Sequence, residues 1–121
     1  MRRTMMQNLD LLKTYDFLID TLIMVCPDYT IVTDDKIEGY LQELEGDFYT
    51  FFDYNSLSLL FNGGILNTDQ VNEITRLKSM LLGIPANFWN LKSFKEDTKW
   101  KDCRFLATKV LNSLGIEKRK V

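Results

Sequence analysis

Apolar residues recur at steps of three and four along three separate stretches of this chain, and no comparable stretch alternates in the manner of a strand. Leu11, Leu12, Tyr15, Leu18, Ile19, Leu22, Ile23 and Cys26 form the first stripe. Val71, Ile74, Leu77, Leu81 and Leu82 form the second, and Trp100, Cys103, Leu106, Ala107, Val110, Leu111 and Leu114 the third. That period places each set on one face of an α-helix. With no run of strands to build a sheet, the chain reads as all-α, a single domain over 1–121 built from five or six helices. Its 121 residues suffice to bury about two-thirds of the surface exposed by the unfolded chain.

Local signals set the boundaries. Pro27 stops the first helix, because proline has no N–H to donate and clashes with the preceding turn. Tyr29–Thr33 is rich in β-branched residues but short, and it has no partner strand. A second helix is expected from Asp34 or Asp35, where Asp35 and Glu38 have capping-box spacing, to about Gly46. It turns Ile37, Tyr40, Leu41 and Leu44 inward and leaves Glu38, Gln42, Glu43 and Glu45 toward water. The aromatic run at 47–54 carries no decisive periodicity. Residues 55–62 read as a short helix closed by Gly63-Gly64. Asn67 or Thr68 then caps the helix of the second stripe, which Gly83-Ile84-Pro85 ends. A turn follows at 86–91. Ser93 and Glu96 repeat the capping-box spacing, and the last helix covers about 98–114. Gly115 stops it, and 116–121 is expected to be a frayed tail.

Charge is unevenly distributed. The net −2 combines two opposed segments. Residues 28–53 hold eight acids and one lysine, whereas 92–121 hold nine Lys/Arg and four acids. The acidic segment also contains Tyr29, Tyr40, Phe48, Tyr49, Phe51 and Phe52. Carboxylates interleaved with Tyr and Phe make a surface suited to a basic partner. Tyr40, Tyr49 and Tyr54 each lie near an acid and can keep their hydroxyls wet. Phe17, Phe61, Phe105 and Trp100 follow apolar stripes and read as core.

Several chemistries fail on residue type. The chain has no histidine, so triad and Cys-His catalysis within one chain are excluded and the commonest transition-metal ligand is absent. Cys26 and Cys103 sit among apolar residues and read as reduced core thiols of a cytoplasmic protein. Asp34, Glu38, Gly39, Leu41 and Glu45 match positions 1, 5, 6, 8 and 12 of an EF-hand loop. However, Lys36 falls at the third ligand position and 35–45 reads as helix. Paired carboxylates for acid–base work are better explained as a solvated helical face. No catalytic residue, metal or cofactor is therefore expected. Asp10, Lys13, Asp16 and Asp20 interrupt every candidate apolar core of a signal peptide, and the longest uncharged runs, 54–68 and 79–91, contain Asn, Ser, Gly and Pro and are too short to span a bilayer.

Two partner classes remain. The helices flanking Gly63-Gly64 could form a helix-turn-helix, with Lys99, Lys101, Arg104 and Lys109 on phosphates. Yet Arg76 and Lys78 are opposed by Asp69 and Glu73. The C-terminal cations are likewise interrupted by Glu96, Asp97 and Asp102, and net acidity repels nucleic acid.

The stretch Leu59-Leu60-Phe61-Asn62-Gly63-Gly64-Ile65-Leu66 leads into a helix with Arg76-Leu77, then Ile84-Pro85, Phe88-Trp89-Asn90, Trp100 and Arg104. Over about 55–106 it resembles small helical bacterial proteins, some of them similar to immunity proteins of contact-dependent growth inhibition and related polymorphic toxin systems. The matching positions are structural, so the resemblance assigns no functional residue. It implies a role: binding one cognate toxin domain, in many such systems a nuclease with a basic face. Clustered carboxylates can imitate phosphate on such a face. The expected partner-binding set is Asp34, Asp35, Glu38, Glu43, Glu45, Asp47, Tyr49, Asp53 and Tyr54. The competing expectation is a helical regulator or adaptor that binds DNA through the C-terminal basic segment.

Overall fold

The computed structural model describes the backbone of residues 2–116 and the side chains of 10–116. Six α-helices follow one another: α1 Arg2–Val25, α2 Asp34–Phe51, α3 Tyr54–Asn62, α4 Thr68–Leu82, α5 Leu91–Glu96 and α6 Thr98–Ser113. A 3-10 turn, Ala86–Phe88, precedes α5. There is no strand among the described residues, so the all-α expectation holds. The α6 helix is the centre. It packs against α1, α4 and α5, while α2 lies along α1 and α3 bridges α1 and α4.

Side-chain caps explain where most helices begin. Asn67 accepts from the Gln70 amide at 2.8 Å, and the Gln70 side chain accepts from the Asn67 amide at 2.9 Å, a reciprocal capping box. The buried Gln70 also donates to the Ser113 carbonyl and hydroxyl, tying the start of α4 to the end of α6. The two boxes expected at Asp35/Glu38 and Ser93/Glu96 do not form. Thr33, one residue before the expected start, accepts from the Lys36 amide and caps α2. Asn90 caps α5 and Asp97 caps α6, so Ser93 and Glu96 lie inside a helix. Residues 28–32 are a turn closed by Asp28. Its carboxylate accepts from Thr30, and its carbonyl accepts from the Ile31 and Val32 amides. This self-contained bonding replaces the strand that the β-branched residues favoured.

The largest departure is the length of α2. It runs through Gly46 to Phe51 and absorbs most of the aromatic run. Glycine inside a helix costs about 1 kcal/mol relative to alanine. Burying Phe48 and Phe52, at 2% and 1% exposed, offsets that cost, since one buried Phe contributes about 1.5–3 kcal/mol. At two helix ends glycine is required. Gly64 and Gly115 have φ of +78° and +76°, and the residue after each donates back into the last turn. That bond holds the half-buried Ile116 against the core, contrary to its place in an expected frayed tail. Residues 117–121 of that tail lie outside the described residues.

The core joins all three stripes, with Leu18, Leu22, Ile37, Leu44, Leu60, Ile74, Leu77 and Trp100 at or near zero exposure. An aromatic series crosses it from α2 to α5. Phe48 stacks on Trp89 at 5.9 Å, and Trp89 meets Trp100 edge-on at 4.9 Å. Trp100 in turn meets Phe94 at 4.9 Å. Three phenylalanines expected inside are outside instead: Phe17 is 49%, Phe61 46% and Phe105 77% exposed. Leu12 and Leu82, on the margins of their stripes, are also exposed. Among the described residues, no helix is long and apolar enough to cross a membrane.

Candidate functional site

An α-helix turns about 100° per residue, so the acidic block on α2 cannot face one way. Asp34, Glu38, Glu45 and Tyr49, spaced by four, seven and four, form one row along the helix. Glu43 and Asp47 form a second row, turned toward α1. Asp35 lies between the two rows, at a shallow depression that it shares with Lys36 and Glu43.

The first row leads into a continuous surface. Glu38 and Glu45 border a shallow cleft of about 230 Å³ with Gln42, Trp89 and Leu91. Glu45 and Trp89 also border the next depression, which adds Tyr49, Leu81 and Leu82. Val71, Thr75 and Lys78 of α4 wall a third and larger cleft against α3, and Leu82 continues their strip of the helix one turn farther, into the second depression. This cleft, of about 540 Å³, is lined by Asp53, Tyr54, Leu57, Phe61 and Lys78 among others. By way of this strip of α4, the row of Glu38, Glu45 and Tyr49 continues toward Asp53 and Tyr54. Tyr49 and Tyr54 are 55% and 80% exposed. Asp34 sits at the edge, held by Lys95 at 2.6 Å. Tyr40 does not join this surface as a wet hydroxyl. It is buried, and its hydroxyl has no hydrogen-bond partner.

Asp53 has two structural tasks besides. Its Oδ2 accepts from the Asn55 amide at 3.4 Å, capping α3, and its Oδ1 accepts from Lys78 Nζ at 3.2 Å. The Lys78 hydrogen bond, then the Asn55 amide, hold its pKa below the ordinary carboxylate value. Asp53 therefore stays ionised through the neutral range.

The second row faces a pair of acids outside the expected partner-binding set. Asp16 and Asp20 of α1 lie four residues apart, as do Glu43 and Asp47. Partial burial, then Glu43 and Asp20, raise the Asp47 pKa; partial burial, then Asp16 and Glu43, raise that of Asp20. Among the described residues, no three acidic or thiol side chains are arranged to hold a metal ion. The consequence is for stability. A carboxyl whose folded pKa is raised binds its proton more readily when folded, so the fold loses stability as pH rises from the ordinary value of 3.8 through the folded one. Asp47→Asn is expected to stabilise the protein at pH 7 by a few tenths of a kcal/mol, the scale of an exposed like-charge pair. Thermal melts should show the gain vanish below about pH 3.8. An equal gain at both pH values would mean that charge is not its cause.

The basic segment is less available than its sequence implies. Arg104 donates to the Phe94 and Lys95 carbonyls, and its guanidinium lies over the Phe94 ring at 5.0 Å and the Tyr29 ring at 5.8 Å. It thus closes the end of α5 against α6. Lys109 pairs with Glu73 at 3.5 Å. Of the four cations expected on phosphates, Lys99 and Lys101 alone make no side-chain ion pair or hydrogen bond among the described residues. The Cys103 thiol is fully buried, and burial, reinforced by Asp102, pushes its pKa up to about 12. A thiol held protonated in this way is a poor nucleophile.

No protein-family model matches the chain, and no curated protein or solved structure is significantly similar to it. The surface must therefore be judged on its own chemistry.

Proposed function

We propose that this chain is a non-catalytic binding module that neutralises a basic protein, acting as an immunity protein against a bacterial toxin domain. The observation that carries the reading is the shared surface of Glu38, Glu45, Tyr49, Asp53 and Tyr54. Exposed tyrosines set beside carboxylates, with one apolar cleft among them, suit a protein interface. Aromatic residues there supply the anchors, and charges direct the approach. A nuclease toxin presents a positive face to its substrate, and this acidic surface is complementary to it. The role needs no histidine, metal or cofactor. DNA binding by a helical regulator or adaptor is the weaker reading, because Arg104 and Lys109 are already engaged within the fold.

The test is co-purification with the toxin-like product of an adjacent reading frame, followed by assay of that toxin's activity. A stoichiometric complex that abolishes the activity is expected. Tyr49→Ala and Tyr54→Ala should each weaken it by at least about tenfold if they are anchors, with melting temperature unchanged because both rings are exposed. Retention on duplex DNA that depends on Lys99 and Lys101, with no protein captured, would replace this reading by the regulator.

A further inference from the structure

The cleft between α3 and α4 is the most developed concavity on the proposed surface. Its volume of about 540 Å³ falls within the usual range of ligand sites. Leu57, 2% exposed, forms part of its floor, while the rings of Tyr54 and Phe61 rise at its rim at 80% and 46% exposure. One part of its wall is the Asp53–Lys78 ion pair, and the two partners are not equally available. The Asp53 side chain is 41% exposed and that of Lys78 is 23% exposed.

An ionised carboxylate offers about four acceptor positions. Asp53 turns this capacity to Lys78, the Asn55 amide and the Tyr54 amide, and its 41% exposure leaves the remainder directed to solvent. Aromatic faces attract cations, and Tyr54 and Phe61 flank the approach. Glu45 and Glu38, farther along the same surface, extend the negative potential. Acceptor, rings and field all favour a positively charged guest over a negative one.

We propose that this cleft receives an arginine side chain of the partner, its guanidinium on the open acceptor positions of Asp53 and its stem against Leu57 and Phe61. Arginine suits the site better than lysine because its planar head can stack on Tyr54 while its several N–H groups reach the carboxylate. The inference rests on the reading of this surface as a dock for a basic protein, and it names the anchor that such a partner must supply.

The full chain can be titrated with pentylguanidinium, the neutral isostere pentylurea, and pentanoate, following amide shifts by nuclear magnetic resonance. Pentylguanidinium is expected to shift the amides of Asp53, Tyr54, Leu57 and Phe61, and to bind several-fold more tightly than either control. Asp53→Asn keeps an oxygen to cap α3 and should weaken guanidinium binding about tenfold, the effect of losing a charged hydrogen-bond partner. Lys78→Met removes the competing cation and should strengthen it. Equal binding of all three probes would show an apolar groove only, preference for pentanoate would make Lys78 the recognition group, and silence from all three would leave no site; each overturns the proposal. These comparisons on the unmodified chain stand even if a variant fails to fold. They also need no toxin. A guanidinium site on a chain that neutralises no basic protein would sink the wider reading alone, and a toxin complex indifferent to Asp53→Asn would sink this one alone.

Discussion

Trp100→Ala is expected to destabilise the protein by about 3–5 kcal/mol, the cost usually seen when a fully buried large aromatic is truncated. The indole is completely buried on α6, between Trp89 and Phe94, and its Nε1–H donates to the Phe88 carbonyl at 2.9 Å. Removing it opens a cavity where α5, α6 and the 3-10 turn meet. It also takes the donor away from a backbone carbonyl, and an unsatisfied buried acceptor costs about 1–3 kcal/mol. Native domains have only about 5–15 kcal/mol in total, so the melting temperature should fall by on the order of 10–20 °C. Leu77→Ala, at zero exposure on α4, should cost about 2–5 kcal/mol. Phe105→Ala is the control. Its ring is 77% exposed, so its loss should stay within about 0.5 kcal/mol. Urea denaturation of the three variants measures all of this. If Phe105→Ala proved as damaging as Trp100→Ala, the assignment of faces on α6 would be wrong.

That contrast marks what could be read from the chain and what could not. Trp100, Cys103, Leu106, Ala107, Val110 and Leu111 declare a helix face because their spacing is the helix period itself. Asn67 and Gln70 likewise announce the start of α4, since the capping box is a local bond between residues three apart. Phe105 was legible too. Five residues past Trp100 it lies about 140° around the helix, well off the apolar stripe that it was expected to follow. Phe61 was not legible in this way. It sits four residues after the buried Leu57, but it falls at the open rim of the cleft between α3 and α4, which no local pattern reveals. The end of α2 failed for a related reason. Gly46 is a local signal to stop, whereas the burial of Phe48 and Phe52 that carries the helix onward depends on contacts with distant elements. The site divides similarly. Composition located the acids and tyrosines, but the helical turn split them into two rows. Asp16, Asp20, Lys78 and Leu82 joined the site only when the helices were packed together.

The two rows make the strongest test of the surface, because they carry the same charge and differ only in direction. Glu38→Lys with Glu45→Lys reverses the row that leads to the clefts, and Glu43→Lys with Asp47→Lys reverses the row facing α1. For a basic toxin domain, the first pair should slow association by about tenfold or more at low salt, since complementary charge steers encounter and one reversal also adds repulsion. It should also flatten the dependence of the association rate on ionic strength. The second pair should change association far less near 0.1 M salt, where the screening length is about 10 Å. It should instead raise stability, by removing repulsion with Asp16 and Asp20. Neither pair should unfold the protein, because these side chains lie at the surface and exposed charges contribute little to folding. Stopped-flow association across a salt series, paired with thermal melts, separates the two faces. Equal slowing by both pairs would mean that overall charge, rather than this surface, attracts the partner. Slowing by the second pair alone would move the interface to the α1 side of α2 and overturn the assignment of Glu38, Glu45, Tyr49, Asp53 and Tyr54.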